Sequence, residues 1–519
     1  MKRYFNTEGC CYPEDHYMVN LDSRLEEIKT MIEAGKYFTI NRGRQYGKTT
    51  ILKALKNYLS DDYIILSLDF QSLSMTEFST EENFVKAFAR ELWKRCRDKF
   101  TEEITEEIKK MRLSREYVLA DLFLVLNDWC CSSEKPIVMI IDEVDQASNN
   151  QVFLDFLAQL RVSYLERKDI PTFKSVILAG VHDIRNIRRK IRPDDEHRHN
   201  SPWNISAEFK VDMSFSVKDI ENMLIDYEND NHTGMDTNMI ANLIYDYTSG
   251  YPVLVSLICK INDEQTDDSI RWNKQGVISA VSRMISTKQP LFDSLINKLE
   301  DNEMLRNQVY SILVNGDTAS FDPYNSAMDL AFMYGFINVS CGIMHISNRI
   351  FETILYNYFL TSNKMQSMPI YEAGSYDKSQ FTENGVLDME KVLEKFTEHF
   401  NEIMGDKPEK FLEEKGREYF LLYLRPIING TGNYYIEAQT RDHRRMDIVV
   451  DYLGVRHIIE LKIWRGEEYN RKGEEQLCEY LEKHNIKKGY LVSFCFNKNK
   501  KPGIYTIQNN DKIIVEAVV

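Results

Sequence analysis

A chain of 519 residues is long enough for about three domains. Its hydrophobic content of 43% and charged content of 28% are ordinary for a globular protein, and its apolar runs are too short to span a membrane. The net charge of -15 excludes a wholly basic nucleic-acid coat protein, although a local basic path to a nuclease site stays compatible with it.

The cysteines and the first residues indicate the compartment. Nine cysteines are scattered along the chain, and none of them form a C-x-x-C pair. An odd number without metal-binding spacing predicts reduced cysteines and a cytoplasmic protein. The start, Met1 to Glu8, has no apolar segment of the kind found in secretion signals, so we expect no such signal and no membrane partner.

The first strong motif is a loop between a predicted strand, Tyr37 to Ile40, and a predicted helix after Thr50. Strand, glycine-containing loop, Gly-Lys-Thr and helix is the order of a phosphate-binding P-loop, whose N–H groups face the phosphates of ATP. The residues predicted to bind the nucleotide are Gly43, Arg44, Gln45, Tyr46, Gly47, Lys48, Thr49 and Thr50. Lys48 would neutralise phosphate charge, and the Thr49 hydroxyl would bind Mg²⁺. One departure is that Arg42 stands where the motif expects glycine.

Two further apolar strands follow the P-loop helix. The run from Tyr63 to Phe70 is typical of a strand buried on both faces, and a long helical region follows from Glu81 to about Asn127. A second anchor comes next, because the apolar run Pro136 to Ile141 leads directly into Asp142 and Glu143. In a Walker B strand end, the aspartate holds the water shell of Mg²⁺ and the glutamate polarises the attacking water. The plain alternative is a buried strand that ends in a solvated acidic turn.

A helix from Gln151 to Arg167 and a third buried strand from Phe173 to Gly180 complete this pattern. The three strand ends should meet at one edge of an α/β sheet, where ligands bind. After the third strand, His182 or Asp183 could sense the γ-phosphate, or both are ordinary loop residues. A basic run follows, which is either an arginine finger, a nucleic-acid contact or a solvated helix face: Arg185, Arg188, Arg189, Lys190 and Arg192.

These motifs, together with Ser201-Pro202-Trp203-Asn204-Ile205 and Gly250-Tyr251-Pro252, resemble the bacterial AAA-like ATPases of the STAND and origin-recognition type. Members often have an arginine-rich P-loop, which agrees with Arg42. The resemblance implies a RecA-like core at 1–215, a helical lid at 216–290 and a winged helix at 291–362. Two short strands around Gly342 suit a wing, and the absence of a basic cluster on the preceding helix favours an interaction or lid role over DNA binding.

Periodicity is lost at 363–384, which predicts an interdomain linker before a C-terminal domain at 385–519. Within that domain a helix carries Glu418, a strand starts at Asp447, and the next strand contains Glu460 and Lys462. Strand side chains alternate, so Glu460 and Lys462 share a face. Charges within an otherwise apolar run are costly to bury unless they are paired or bound to metal. The pattern therefore favours a functional site over charges without a function.

Residues from about Leu387 to Ile507 resemble the PD-(D/E)XK nuclease superfamily, through their helix, three strands, helix, strand order and the Asp447…Glu460-x-Lys462 signature. The resemblance implies that Asp447 and Glu460, with the Leu461 carbonyl, bind Mg²⁺. Lys462 would orient the water, Glu418 would support the metal, and Gln476 matches a glutamine that many members carry. The proline of the family name is absent, because Met446 precedes Asp447.

The sequence therefore predicts an α/β protein: a RecA-like P-loop ATPase core, a helical lid and a winged helix, followed by an α/β PD-(D/E)XK nuclease-like domain. The first hypothesis is an ATPase that controls an Mg²⁺-dependent nuclease acting on DNA, or alternatively on RNA. The second is a regulatory or scaffold ATPase whose C-terminal domain only binds nucleic acid or a protein partner. The third is a nucleotide switch with negligible turnover, which Glu143 argues against. A homo-oligomer is compatible with each.

Overall fold

The structure is a computed structural model of the whole chain. It describes residues 2–147, 150–180, 203–315, 320–361, 363–377, 380–383, 386–404, 413–428, 432–435, 448–453, 455–464, 466–483, 486–495, 501–509 and 511–519. The chain divides into two compact units, Met1–Asp230 and Asn231–Val519. The predicted domain boundaries at 215, 290, 362 and 384 stay predictions.

The first unit is built on a parallel sheet. In its described residues the strands are β1 (Phe38–Asn41), β2 (Ile64–Asp69), β3 (Ile137–Asp142) and β4 (Ser175–Gly180). Their order across the sheet is β1-β4-β3-β2, and each neighbouring pair is parallel. All four carboxyl ends therefore lie along one edge, which is where open α/β sheets bind their ligands.

Helices cover both faces of this sheet. They are α1 (Asp22–Glu33), α2 (Lys48–Tyr58), α3 (Glu81–Cys96), α4 (Glu102–Leu113), α5 (Leu119–Ser132) and α6 (Gln151–Glu166). A further helix, α7 (Val217–Asn231), packs its Tyr227 ring against Phe5 and Tyr17. In β3, Val138 and Ile140 pack in the cluster that contains residues of α1 and α2, whereas Met139 and Ile141 pack in the one that contains residues of α3 to α6. Side chains that alternate along a strand reach both faces, which explains the unbroken apolar run.

Two sequence expectations for this unit need correction. Among the described strands β2 is at the edge of the sheet, with Leu66 and Leu68 buried and its other residues only half-buried, so it is not buried on both faces. The helical region predicted from Glu81 to Asn127 is three separate helices, α3 to α5. The break before α4 has a local cause, because the Thr101 side chain accepts a hydrogen bond from the Ile104 N–H and starts a new helix there.

The second unit begins with helices and one hairpin. The helices are α8 (Thr237–Thr248), α9 (Pro252–Gln265), α10 (Lys274–Ser286), α11 (Pro290–Asp301), α12 (Glu303–Tyr310), α13 (Ser326–Met333) and α14 (Arg349–Leu360), and the hairpin strands are β5 (Ile337–Ser340) and β6 (Ile343–Ile346). Pro252 is the first residue of α9, a position that suits proline because its N–H would have no helical partner. The hairpin turns at Cys341 and Gly342, which both have positive φ angles.

The segment predicted to be an irregular linker is largely structured. It contains α15 (Asn363–Gln366), α16 (Pro369–Asp377) and the first strand of the short pair β7 (Thr382–Glu383) and β8 (Val386–Leu387). Ile370 is fully buried, and a Cβ on Gly374 would lie 2.1 Å from the Tyr423 backbone oxygen. The polar composition that predicted a linker belongs to a segment that is ordered by tertiary contacts.

The rest of the second unit is a mixed α/β layer structure. Its elements are α17 (Met389–Met404), α18 (Glu413–Ile428), β9 (Gly432–Tyr435), β10 (Ile448–Tyr452), β11 (Val455–Ile463), α19 (Glu467–Lys483), β12 (Lys488–Phe494), β13 (Gly503–Asn509) and β14 (Lys512–Val518). The described strands lie in the order β13-β14-β12-β11-β10-β9. Strands β11, β12 and β14 are mutually parallel at the centre, and the outer pairings are antiparallel.

Different helices pack on the two faces of this sheet. Leu477 and Leu481 of α19 belong to an apolar cluster with Ile458, Leu491 and Ile514 of the strands. On α18, a Cβ at Gly416 would lie 2.3 Å from the Phe494 ring, so glycine allows this helix to approach the sheet closely. These contacts fix the positions of α18 and α19, which carry two of the predicted site residues, Glu418 and Gln476.

Candidate functional site

The P-loop is the connection between β1 and α2. Gly47 precedes the first residue of α2 with φ +80°, a left-handed conformation that favours glycine. Gln45 is also left-handed, with φ +55°. A Cβ added to Gly47 would meet no described atom within 4 Å, so there is open space at the start of the helix. The first N–H groups of α2 have no carbonyl partner within the helix, and such N–H groups bind phosphate.

Lys48 lies under this loop. Its Nζ donates hydrogen bonds to the backbone oxygens of Arg42 at 2.8 Å and Gly43 at 2.9 Å, and only 8% of the residue is exposed. Burial lowers the pKa of Lys48, while the carboxylates of Glu143, Asp145 and Asp142 oppose that shift. The ammonium is thus held by two neutral acceptors, which phosphate oxygens can replace as stronger partners.

Arg42, the residue that departs from the motif, has a structural role. Its guanidinium donates to the Val211 backbone oxygen at 3.2 Å and to the Asn41 oxygen at 2.9 Å, and it lies 5.5 Å from the centre of the Phe209 ring. The segment that it contacts runs beside β1, since Phe38 forms a bridge with Ala207. The buried Trp203 of the same segment donates to the Thr39 hydroxyl on β1. Arg42 therefore links the start of the P-loop to Phe209 and Val211, which are distant in sequence.

Asp142 and Thr49 meet at the end of β3. Thr49 Oγ1 donates to Asp142 Oδ2 at 2.9 Å, and Asp142 Oδ1 accepts from the Glu143 N–H at 2.9 Å. A hydroxyl and a carboxylate side by side are the oxygen ligands that suit Mg²⁺ with its remaining waters, so these residues fit the predicted ion. Burial is the main cause that raises the pKa of Asp142.

Glu143 directly follows and has a left-handed backbone, with φ +54°. A non-glycine residue in this conformation is uncommon and often marks a functional position. The side chain is partly buried, and burial followed by the charge of Asp142 raises its pKa. Its role as the water-polarising residue stays a prediction.

The other predicted nucleotide residues have mixed surroundings. Thr50 Oγ1 accepts a hydrogen bond from the Cys11 N–H at 3.2 Å, which brings the N-terminal segment onto the first turn of α2. Tyr46 packs against the apolar cluster of α1 and α2. The positive charge of Arg44 contributes to lowering the pKa of Lys48, after burial.

Two acidic residues at this edge were missed by the sequence reasoning. Asp69 ends β2 and pairs in register with Asp142 at the end of β3. Asp145 has a carboxylate oxygen 3.0 Å from where a Cβ on Gly180 would be, at the end of β4. The signal for Asp69 was available, since it ends an apolar run in the same way as Asp142 does.

The predicted sensor and finger residues lie outside the described residues: His182, Asp183, Arg185, Arg188, Arg189, Lys190 and Arg192.

The C-terminal candidate site is centred on Lys462 of β11. Lys462 Nζ donates to Gln476 Oε1 of α19 at 2.7 Å and forms an ion pair with Glu460 at 3.3 Å. Glu460 is 2% exposed and Lys462 9%. A Cβ on Gly473 would lie 3.0 Å from the Lys462 side chain, so glycine on α19 leaves room for it. Three predicted residues, Glu460, Lys462 and Gln476, are therefore brought together.

The remaining predicted residues of this site are less well defined. Glu418 is on α18 and is 5% exposed, with an ion pair to Lys415 at 2.6 Å. Its charge adds to burial in raising the pKa of Tyr310 to about 12, so Tyr310 lies nearby. Asp447 lies outside the described residues, and β10 begins at the following residue, Ile448, which pairs with Ile459. The roles of these residues stay predictions.

No group of three or more His, Cys, Asp or Glu side chains among the described residues is close enough together to hold a metal ion. The described helices include none with the length and apolar character needed to cross a membrane.

Comparison with solved structures finds matches of low similarity. The Walker-type ATPase paby2304 of Pyrococcus abyssi is 13% identical and matches 68% of this chain and 99% of its own, with a TM-score of 0.47. The Aeropyrum pernix ORC2 protein, solved in ADPNP–ADP complexes, is 11% identical over 66% of this chain and 94% of its own, with a TM-score of 0.32. The Thermotoga maritima RuvB Holliday junction branch migration motor is 12% identical over 63% and 92%, also with a TM-score of 0.32.

Comparison of the sequence with curated proteins gives no match. The family model of the AAA-like domain matches residues 14–356 and ends before the C-terminal sheet. This match covers about two thirds of the chain and includes the P-loop, the Asp-Glu strand end and the helices up to α14. The chain therefore belongs to the AAA-like domain family of P-loop ATPases.

Proposed function

We propose that this protein binds and hydrolyses ATP and thereby controls an Mg²⁺-dependent nuclease in its C-terminal domain, with DNA as the favoured substrate. The observation that carries the nuclease part is the arrangement of Lys462, which is held between the Glu460 carboxylate and the Gln476 amide on β11, a central strand of the sheet. The ATPase part rests on the family and on the contact between Thr49 and Asp142.

In the ATPase, the chain's own groups would act as follows. Lys48 Nζ exchanges the carbonyls of Arg42 and Gly43 for phosphate oxygens, and the N–H groups that follow Gly47 bind the same phosphates. Thr49 and Asp142 would hold Mg²⁺, which would supply neutralisation of charge on the phosphates. Glu143 accepts a hydrogen bond from the attacking water and orients it toward the γ-phosphate. These roles are supported by the burial of Lys48 and by the position of all four groups at one sheet edge.

In the C-terminal domain, the element order supports a nuclease fold. A helix, three strands, a helix and a strand follow in the order α18, β9, β10, β11, α19, β12, as the PD-(D/E)XK resemblance implies. We infer that Asp447, which precedes Ile448 in the sequence, joins Glu460 and the Leu461 carbonyl as an oxygen ligand. Mg²⁺, when held there, would lower the pKa of a bound water. Lys462 would orient the attacking water and stabilise charge on the phosphate.

Contacts within the second unit offer a route for control. The family match ends within α14, and this helix contacts the C-terminal domain through two residues. Asn357 accepts hydrogen bonds from Arg425 of α18 at 3.1 and 3.3 Å. Thr353 Oγ1 donates to the backbone oxygen of Tyr434 at 3.5 Å. At its start, Arg349 forms an ion pair with Asp246 of α8 at 3.0 Å. One helix therefore contacts both the helices proposed as the lid and the helix that carries Glu418.

The domain assignment belongs to the same proposal. We assign an ATPase core at 1–215, a lid at 216–290, a winged helix at 291–362 and a nuclease-like domain at 385–519, joined by the segment at 363–384. Two helices and the β5–β6 hairpin support the winged helix. We propose an interaction role for it, since no basic cluster marks its second helix, α13.

One observation favours the second candidate function, a scaffold ATPase whose C-terminal domain only binds a partner. Glu460, Lys462 and Glu418 are at most 9% exposed, so substrate would need access to a nearly closed site. A nuclease with this geometry must open, whereas a binding domain need not.

The test is a cleavage assay with full-length protein, plasmid and linear DNA, single-stranded RNA, Mg²⁺ and ATP. We expect wild type to cut DNA in Mg²⁺, and Lys462→Ala to lose cleavage while it retains ATP hydrolysis. Lys512→Ala is the matched control, because Lys512 is equally buried on a strand of the same sheet but starts β14, at the opposite end from Lys462. Equal cleavage by the two variants contradicts the nuclease proposal, and DNA binding without cleavage by wild type supports the scaffold.

A further inference from the structure

Strands β2 and β3 end in the same way, and this carries an inference about the ATPase site. Both are apolar runs that finish with an aspartate, and Asp69 is the register partner of Asp142. Partners on neighbouring parallel strands point to the same face, and the strands are about 4.8 Å apart. The Asp69 carboxylate therefore belongs to the same side of the sheet edge as the Asp142 carboxylate.

The backbone around Asp69 is firmly held. Asp69 Oδ1 accepts a hydrogen bond from the Gln71 N–H at 2.9 Å and starts a short helical turn, Phe70–Ser72. Phe70 is 1% exposed and lies edge-on to Phe153, with ring centres 5.9 Å apart. The aspartate is thus fixed at the sheet edge by a core aromatic residue. Within the described residues, Asp69 Oδ2 has no hydrogen-bond partner.

Capping of the turn explains only one of the two carboxylate oxygens. Asparagine caps such turns as well as aspartate does, so capping alone does not require a negative charge at this position. The charge has an effect on the site, because Asp142 is the register partner of Asp69 on the neighbouring strand and like charges at neighbouring positions repel each other. The charge of Asp69 is therefore costly in the nucleotide-free protein.

We propose that Asp69 is a further positioning residue of the ATPase, which holds a water molecule beside Asp142 through its Oδ2 atom. In this role Asp69 accepts a hydrogen bond from a water next to the nucleotide's phosphates, on the side of Asp142 that faces β2. Glu143 orients the attacking water, and Asp69 fixes a second water that lies next to the Mg²⁺-binding groups. This inference rests on the ATPase part of the proposed function, and it adds a second strand end to the site.

The test compares Asp69→Asn with wild type and with Asp267→Asn in the full-length protein. Asparagine retains the cap and removes the charge. Asp267 is the matched control, because its Oδ1 accepts the N–H of the residue two positions on, at 2.9 Å, in the other compact unit. Two readouts are measured: the affinity for a fluorescent ADP analogue with and without Mg²⁺, and the kcat and KM of ATP hydrolysis.

For Asp69→Asn we expect the nucleotide affinity without Mg²⁺ to stay within about twofold of wild type. The gain in affinity on adding Mg²⁺ should be at least about fivefold smaller than in wild type. The kcat of ATP hydrolysis should be at least about tenfold lower at similar KM. Asp69→Glu, which restores the charge, should recover part of both losses. A purely structural role predicts lower melting temperature with unchanged Mg²⁺ response. Values for Asp69→Asn that equal those of Asp267→Asn in both readouts overturn the inference.

The outcomes separate this inference from the ATPase assignment. If wild type binds nucleotide in an Mg²⁺-dependent manner but does not hydrolyse ATP, turnover fails as a function and the affinity readout still decides the role of Asp69. If Lys48→Ala and Glu143→Gln reduce hydrolysis but Asp69→Asn leaves both readouts unchanged, the ATPase stands and Asp69 is only a cap.

Discussion

Replacing Lys48 by alanine tests the nucleotide site most simply. Its Nζ is buried and hydrogen-bonded to two backbone oxygens at 2.8 and 2.9 Å, so it is already positioned under the loop. On ATP binding these neutral acceptors are exchanged for charged phosphate oxygens. Hydrogen bonds between charged groups contribute about 1.5–3 kcal/mol each, and part of that is offset by the two carbonyl bonds that are given up.

A net loss of about 2–4 kcal/mol is therefore expected for Lys48→Ala. This corresponds to a dissociation constant about 30- to 700-fold higher. The assay is equilibrium titration with a fluorescent ATP analogue in Mg²⁺. Lys53→Ala is the matched control, because Lys53 lies on the same helix but contacts the Tyr12 hydroxyl at the surface. A change below about threefold for Lys48→Ala, or an equal change in both variants, refutes the reasoning.

Three further predictions concern hydrolysis, coupling and packing. Glu143→Gln should bind ATP but hydrolyse it about 100-fold more slowly, as steady-state phosphate release will show. Burial is the main cause that raises the pKa of Glu143, so the ionised carboxylate lowers the stability of the folded protein. The variant should therefore melt at a higher temperature than wild type at pH 8. This gain should vanish below about pH 4, where the carboxyl is protonated in both the folded and the unfolded protein. Arg425→Ala, which removes the contacts with Asn357, should leave ATP hydrolysis unchanged but make DNA cleavage insensitive to ATP, in a cleavage assay with and without nucleotide. Gly374→Leu should lower the free energy of unfolding by about 1–3 kcal/mol or more in urea denaturation, since its Cβ would lie 2.1 Å from the Tyr423 oxygen.

Motifs carried by consecutive residues were predictable from the sequence. The P-loop could be read because an apolar strand, a glycine loop and a helix follow one another without interruption, and β1, Gly47 and α2 lie in that order. The facing pair Glu460 and Lys462 was predictable from strand alternation alone, because β11 is regular over both residues. In each case the physical determinant is local.

Features that depend on distant residues were not predictable. Arg42 looked like a defect in the motif, but its partner is Val211, 169 residues along the chain. Asp69 ends an apolar run as Asp142 does, which the sequence shows, but only the register between β2 and β3 reveals that the two aspartates are neighbours. The segment 363–384 looked like a linker because its composition is polar, although Gly374 packs closely on α18. Composition reports local preference, and these positions are decided by tertiary contacts.

The measurement that tests the central claim most directly is the rate of DNA cleavage by the full-length wild type in Mg²⁺, with ATP present or omitted. The proposal predicts cleavage whose rate changes at least about fivefold with ATP. Lys48→Ala should cleave at one rate in both conditions when ATP is kept well below the raised dissociation constant of this variant. Cleavage by wild type at the same rate with and without ATP contradicts control by the ATPase, and the absence of cleavage in both conditions contradicts the nuclease itself.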